Sequence, residues 1–246
     1  MRTSNPALSD KAFGAATAVS PTDRMTIQGT VNKTGVLLLL VIAAASYTWR
    51  EFYSTWDPSS VAPWIWVGAF GGFAVAMVTI FKKEWAPITA PLYAVLEGLF
   101  LGAVSATFEA QYPGIVIQAV GLTFGTLLAL LAAYKSQMIR ATENFKLGVV
   151  AATGGICLLY FVSIVLGFFG IPISFIHSSG TAGILFSVFV VVIAALNLVL
   201  DFDFIENAAY RGVPKHMEWY GAFGLLVTLV WLYLEILRLL AKSRRR

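Results

Sequence analysis

The stretch that decides the fold is residues 147–200, LGVVAATGGICLLYFVSIVLGFFGIPISFIHSSGTAGILFSVFVVVIAALNLVL, which contains no Asp, Glu, Lys or Arg. A single helix of this length would measure about 80 Å, whereas the hydrocarbon core of a bilayer is about 30 Å thick. Gly, Pro and Ser residues interrupt the run between Gly167 and Gly180. The run therefore predicts two membrane-spanning helices, at about 147–169 and 181–205.

The composition of the whole chain excludes a water-soluble domain. Of its 246 residues, 58% are hydrophobic and 12% are charged, and the mean hydropathy is +0.78. Soluble domains are about a quarter charged, and a membrane β-barrel would show alternating strands of about ten residues. We therefore predict an all-α, polytopic membrane helix bundle. Further apolar segments lie between Lys33 and Arg50 and at 61–81, 87–108, 115–134 and 219–240, which makes seven transmembrane helices.

The distribution of Lys and Arg predicts the orientation. With the N-terminus in the cytosol, the inner segments hold eleven Lys and Arg, and the outer loops hold only Arg50. The predicted organisation is a polar cytosolic N-terminal tail over 1–33, the transmembrane domain over 34–240 and a basic C-terminal tail over 241–246. Seven crossings would place that basic tail outside, against the same rule, so the side of the C-terminus is left open.

Acidic residues within the spans are the candidate functional residues, because an ionisable group at bilayer depth is costly and faces a cavity or a partner. Glu97 lies near the middle of the third span, where it serves either a structural hydrogen bond or an ion path. Asp201 is predicted to face inward and shares a helix face with Asn197, four residues earlier. Asp203 is predicted to face the headgroups or the loop.

Glu235 in the last span has two interpretations. Arg238 is three residues further on, within reach of a local ion pair. Alternatively, Glu235 meets Asp201, in which case two carboxyls at low dielectric share one proton and titrate as a unit. Such a pair would sense pH or bind a cation, since hard cations such as calcium prefer oxygen ligands.

Other features carry less functional information. Three G-x-x-x-G pairs at 68/72, 98/102 and 121/125 predict close helix packing. The single cysteine, Cys157, is expected to be a small buried hydrophobic residue. His177 and His216 have no second His or Cys at ligand spacing, so no zinc site is predicted, and no nucleophile with an adjacent base indicates an enzyme. The dispersed net charge of +4 argues against nucleic-acid binding.

Four stretches resemble one family of membrane proteins. MRTSNPALSDKAF at the N-terminus, YAVLEGLFLGAVS in the third span, LNLVLDFDFIENA in the sixth and WLYLEILRLL in the seventh resemble the Bax inhibitor-1/YccA-like family, in its bacterial branch. The resemblance implies a seven-helix bundle with the last helix central, located in the bacterial plasma membrane. It also implies a pH-sensitive calcium leak channel whose acidic pair is Asp201 and Glu235, with Lys82 or Lys83 as the candidate for a basic latch.

Three hypotheses about function follow. The first is a cation leak, with calcium as the first candidate ion, controlled by protonation of Asp201 and Glu235. Its partners are the lipid bilayer and calcium or protons. No cofactor is expected other than calcium as a permeant or bound ion. The second is a non-transporting regulator that binds other membrane proteins, such as a membrane protease. The third is an intramembrane aspartyl protease, which the absence of a glycine-aspartate context around Asp201 disfavours.

Overall fold

The predicted all-α fold with seven apolar helices is confirmed. A computed structural model describes residues 23–171 and 178–245, and seven helices within them are long and apolar enough to cross a membrane. Most of the predicted N-terminal tail, His177 and the last residue of the predicted C-terminal tail lie outside the described residues. The helices are α1 (Ile27–Thr55), α2 (Pro58–Phe81), α3 (Ala86–Gln111, preceded by a 3-10 turn at Lys83–Trp85), α4 (Ile115–Lys135), α5 (Glu143–Phe168), α6 (Thr181–Tyr210) and α7 (Met217–Arg244).

Helix α1 is longer than predicted at both ends. Thr26 caps its N-terminus by accepting a hydrogen bond from the Gly29 amide at 2.9 Å, so the helix begins inside the stretch assigned to the tail. Lys33 and Arg50, which marked the predicted limits, both lie within the helix. Charged residues were a poor guide to the boundaries because their long side chains can reach water or a partner while the backbone remains helical.

Two further boundaries differ from the prediction. Lys146, assigned to an inner loop, lies in the first turns of α5 and is buried. The predicted basic tail begins inside α7, which continues to Arg244 and buries Lys242. Between α6 and α7 the chain turns at Gly212, whose φ of 66° is in the left-handed region that glycine adopts without strain.

The described chain divides into two compact units. The first unit comprises residues 23–113 and 204–227, and the second comprises 114–171, 178–203 and 228–245. In the first unit α3 packs against both α1 and α2. A Cβ on Gly98 would lie 2.5 Å from the Val41 carbonyl oxygen of α1, and a Cβ on Gly68 would lie 2.6 Å from the Leu96 carbonyl oxygen of α3. Two of the predicted glycine pairs are therefore packing sites, whereas nothing lies within 4 Å of a Cβ on Gly121 or Gly125.

Burial differs strongly between the helices. The most apolar window of α7 is 61% buried, the largest share among the seven spans, which agrees with the prediction that the last helix is central. The corresponding windows of α2, α4 and α5 are only 17% buried. Cys157 on α5 is exposed, so the prediction that it is buried was wrong. An apolar side chain in a membrane helix can face lipid as well as the core, and its polarity does not distinguish the two.

Candidate functional site

A line of polar contacts follows one face of α5 in the second unit. Lys146, Thr153 and Tyr160 are spaced by seven residues, so they lie on nearly the same face of the helix. Each of the three contacts a polar side chain of α6 or α7. We call these three contacts the polar ladder.

The first contact of the ladder is an ion pair. The Nζ of Lys146 lies 2.9 Å from Oδ2 of Asp203 on α6 and 3.4 Å from Oε1 of Glu143, one turn earlier on α5. Lys146 is only 6% exposed, so its charge needs these carboxylates. Asp203, predicted to face the headgroups or the loop, is thus bound by Lys146. This contact was not predicted, because Lys146 had been assigned to a loop.

The second contact is neutral. The Nδ2 of Asn197 donates to Oγ1 of Thr153 at 2.9 Å and to the Ile193 carbonyl oxygen at 2.8 Å. Asp201 lies one turn further along α6 and is completely buried, with 0% exposure. The prediction that Asp201 faces inward and shares a buried face with Asn197 is confirmed.

The third contact joins α5 to α7. The Tyr160 hydroxyl lies 3.2 Å from both carboxylate oxygens of Glu235, which is 2% exposed. Nη1 of Arg238 donates to Oε1 of Glu235 and to the Tyr160 hydroxyl oxygen, each at 2.8 Å. The local ion pair between Glu235 and Arg238 is therefore confirmed, and Tyr160 is a partner that sequence reasoning missed. Its spacing from Thr153 was the available signal.

Two contacts indicate the register between α6 and α7 in the second unit. Trp231 of α7 packs against the buried cluster that contains Ile193 of α6. Further along α7, Nζ of Lys242 donates to Oγ of Ser187 at 2.8 Å. The residue numbers fall along α6 while they rise along α7, so the two segments are antiparallel.

This register separates the two predicted members of the acidic pair. Glu235 lies between Trp231 and Lys242, so on α6 its level falls on the Ser187 side of Ile193. Asp201 is eight residues beyond Ile193 in the other direction, which corresponds to about 12 Å of helix rise. A shared proton requires two oxygens within about 3 Å of each other. Direct pairing of Asp201 with Glu235 does not fit this register.

Glu97 lies in the first unit and is half-buried on α3. Its carboxyl group is hydrogen-bonded by Tyr93, one turn earlier, and one of its oxygens would lie 3.2 Å from a Cβ on Gly72 of α2. Tyr93 in turn packs edge-to-face on Phe223, with ring centroids 5.0 Å apart. These contacts support the structural hydrogen bond over the ion path among the two interpretations of Glu97.

Glu218, in the first turn of α7, occupies a second buried acidic site that sequence reasoning missed. One carboxylate oxygen accepts hydrogen bonds from the amide (2.9 Å) and hydroxyl (3.0 Å) of Thr26, and the other pairs with Nζ of Lys33. Glu218 is 1% exposed, and it lies so close to α1 that a Cβ on Gly29 would overlap its carboxylate. A carboxylate at a helix N-terminus is favoured by the free amides and by the helix dipole.

Neither candidate for the basic latch contacts an acid. Lys82 is exposed after the end of α2, and Nζ of Lys83 lies 5.9 Å from the ring centroid of Tyr220. Within the part of the chain that the structure describes, neither lysine forms an ion pair with a carboxylate. The expectation that one of them is a latch is therefore not supported in this conformation.

No ready-made metal centre is found among the described residues. Over 23–171 and 178–245, no three His, Cys, Asp or Glu side chains are grouped closely enough to hold a metal ion. Calcium usually takes six to eight oxygen ligands. Asp201 and Glu235 could each supply carboxylate oxygens, but the remaining ligands would have to come from other side-chain oxygens, backbone oxygens or water.

Comparison with protein families identifies a family that covers the chain. The model of the family described as Bax inhibitor 1 like matches residues 5–245 of the chain, which is nearly its whole length. No curated protein matches the chain.

Proposed function

This chain belongs to the Bax inhibitor 1 like family, and on that premise we propose that it forms a pH-sensitive cation leak through the membrane, with calcium as the first candidate ion. The observation that carries the proposal is the completely buried carboxyl group of Asp201 on a membrane helix. A carboxyl group at such a place costs roughly 2.5–3.5 kcal/mol on insertion scales, so its retention calls for a functional reason.

Asp201 is the proton-sensitive group in this proposal, and Glu235 is not its partner. A neutral Asp201 is compatible with the closed packing of the second unit, where it is fully buried. Loss of its proton as the pH rises leaves a buried charge that costs several kcal/mol, which favours a hydrated and open arrangement. Since 1.36 kcal/mol changes an equilibrium tenfold, this cost is ample to control a leak. We therefore expect the leak to rise with pH.

The ladder supplies oxygen atoms on either side of Asp201 along the same helices. Asn197, which bonds Thr153 of α5, lies one turn before Asp201 along α6, and Asp203 lies two residues after it. These groups are the oxygen ligands that a partly dehydrated calcium ion would need. Lys146 neutralises Asp203 in the closed arrangement, so an entering cation competes with that lysine.

The proposal is tested by measuring calcium flux between pH 5 and 8 into proteoliposomes that contain only this protein. The wild type should show a leak that rises with pH, and Asp201→Asn should make the leak nearly independent of pH. The matched control is Asp57→Asn, because Asp57 is an exposed N-cap residue of α2 in the first unit and contacts no member of the polar ladder. Retention of the full pH response in Asp201→Asn would contradict the proposal.

A second variant separates the two views of the acidic residues. If Asp201 and Glu235 shared a proton, Glu235→Gln and Asp201→Asn would abolish the pH response equally. If Asp201 acts alone, Glu235→Gln loses its ion pair with Arg238 and keeps the pH response. Absence of calcium flux in the wild type at every pH would refute the leak and favour the non-transporting regulator of other membrane proteins.

We also propose that the N-terminus is cytosolic and that the membrane is the bacterial plasma membrane. The excess of Lys and Arg in the inner segments supports the orientation, and the resemblance to the bacterial branch of the family supports the membrane. Arg140 is exposed between α4 and α5, so Arg140→Cys in a Cys157→Ser background provides an accessible label. A membrane-impermeant thiol reagent should label position 140 only after the cells are opened, and labelling of intact cells would reverse the topology.

A further inference from the structure

A polar groove opens in the first unit where α1 and α7 begin. Its volume is about 430 Å³, and its walls include Arg24, Asn32, Lys33, Val36, Lys215 and Trp219. Backbone contacts fix the two sides of the groove, because the Met25 amide donates to the Val213 carbonyl at 2.7 Å and the Lys215 amide donates to the Asp23 carbonyl at 2.8 Å. The groove is therefore built into the fold rather than formed by mobile side chains.

The groove favours anions. Three of the lining side chains are cationic, and one, Glu218, is acidic. The Glu218 carboxylate is 1% exposed and is already bound by Thr26 and Lys33, so it presents almost no negative charge to a ligand. Arg24 and Lys215 are both exposed on the rim. A ligand that enters the groove therefore meets mainly positive charge and amide donors.

The position of the groove also suits contact with lipid headgroups. It lies at the first turns of two membrane helices, α1 and α7. Trp219, whose ring lies 5.6 Å from Nζ of Lys33, is of the residue type that concentrates at this depth. Deeper along α1, Val36 and Leu39 are 45% and 67% exposed, so an apolar surface continues from the polar groove toward the membrane interior.

We propose that this groove binds the phosphate headgroup of an anionic phospholipid. Arg24 and Lys215 contact the phosphate, the groove donors around Asn32 hold the glycerol end, and one acyl chain lies along Val36 and Leu39. A free phosphate would satisfy the cations equally well but would leave the apolar surface uncovered, which is why a lipid is the better occupant.

Lipid binding to the purified full-length chain in neutral detergent tests the proposal, with native mass spectrometry as the readout. The probes are short-chain phosphatidylglycerol, phosphatidylcholine of the same chain length, and inorganic phosphate as a competitor. Phosphatidylglycerol should bind at least tenfold more tightly than phosphatidylcholine. Each of Arg24→Gln and Lys215→Gln should weaken binding of phosphatidylglycerol about fivefold, and the double variant about 25-fold.

Two further variants serve as controls. Lys82→Gln removes an exposed lysine of the same unit that does not line the groove, and it should change the affinity less than twofold. Lys215→Arg keeps the charge and should keep the binding. An equal loss in Lys82→Gln, equal affinity for the two lipids, or displacement of phosphatidylglycerol by an equal concentration of inorganic phosphate would each overturn the proposal. Thermal unfolding of every variant establishes that the fold is retained.

Discussion

Replacement by alanine should change the free energy of unfolding in opposite directions at two glycines of the predicted G-x-x-x-G pairs. A Cβ on Gly98 of α3 would lie 2.5 Å from the Val41 carbonyl oxygen and 2.8 Å from the Ala44 Cβ of α1. A Cβ on Gly121 of α4 would meet nothing within 4 Å. Both positions are inside a helix, so both gain the same helix propensity, up to about 1 kcal/mol, on replacement by alanine. Only Gly98 has a steric cost to set against that gain.

The size of the difference follows from these distances. A carbon and an oxygen atom in contact lie about 3.5 Å apart, so Gly98→Ala forces α1 and α3 apart by on the order of 1 Å. Overpacking of a close contact costs about 1–3 kcal/mol. After the full gain in propensity, Gly98→Ala should lower the free energy of unfolding by up to about 2 kcal/mol. Gly121→Ala should leave it unchanged or raise it by up to about 1 kcal/mol.

Reversible unfolding of the full-length chain in mixed micelles, titrated with sodium dodecyl sulfate and followed by tryptophan fluorescence, measures both values under one condition. Gly102→Ala provides a replicate on the packed side, because its Cβ would overlap Ala45 of α1. Gly125→Ala provides a replicate on the open side. The reasoning is refuted if the packed and open pairs lose the same stability, because close helix approach would then not depend on these glycines.

Two other predictions concern the first unit. Glu218→Ala should lower the free energy of unfolding by about 3–5 kcal/mol, because it leaves the charge of Lys33 and two hydrogen-bond donors of Thr26 without their partner. In the double variant with Lys33→Ala, the loss of stability should be clearly smaller than the sum of the two single losses. Simple additivity of the two losses would count against the ion pair. Burial lowers the pKa of His216 below its usual value, and the nearby Glu84 offsets only part of this effect. The neutral imidazole therefore stabilises the folded state above about pH 6.5, and this stabilisation is lost as the pH falls below that value. As the pH is lowered from 7.5 to 5, the melting temperature of His216→Asn should fall less steeply than that of the wild type. Parallel curves for the two proteins would disprove the assignment.

The number and order of the spans could be predicted from sequence because the bilayer imposes a simple rule. Each crossing needs about 20 apolar residues with internally satisfied backbone hydrogen bonds. The breaks at Gly167 and Gly180 were correct for this reason, since α5 ends at Phe168 and α6 begins at Thr181. The helix ends near Lys33 and Lys242 were misplaced, because a lysine can lie inside a helix when a partner distant in sequence binds its ammonium group. Glu218 is that partner for Lys33, and Ser187 is that partner for Lys242.

The candidate site could be predicted only in part. Burial of Asp201 and the pair of Glu235 with Arg238 both follow from local spacing on one helix. Tyr160 and Lys146 were missed, because the seven-residue spacing places them on one face with Thr153 but does not show which helix that face contacts. The predicted pairing of Asp201 with Glu235 depends on the same register, since residues on different helices can match a motif and still lie at different depths.

The seven-residue spacing of the polar ladder determines which helix each contact reaches. Seven residues fall about 20° short of two full turns in a straight α-helix, so successive members of such a series rotate slowly around the helix axis. Lys146 and Thr153 reach α6, and Tyr160, another step of rotation further, reaches α7. The polar face of α5 therefore turns gradually from α6 toward α7 along the helix. Insertion of one residue between Thr153 and Tyr160 would turn the tyrosine by about 100° and deprive Glu235 of its hydroxyl partner, although every polar residue would still be present.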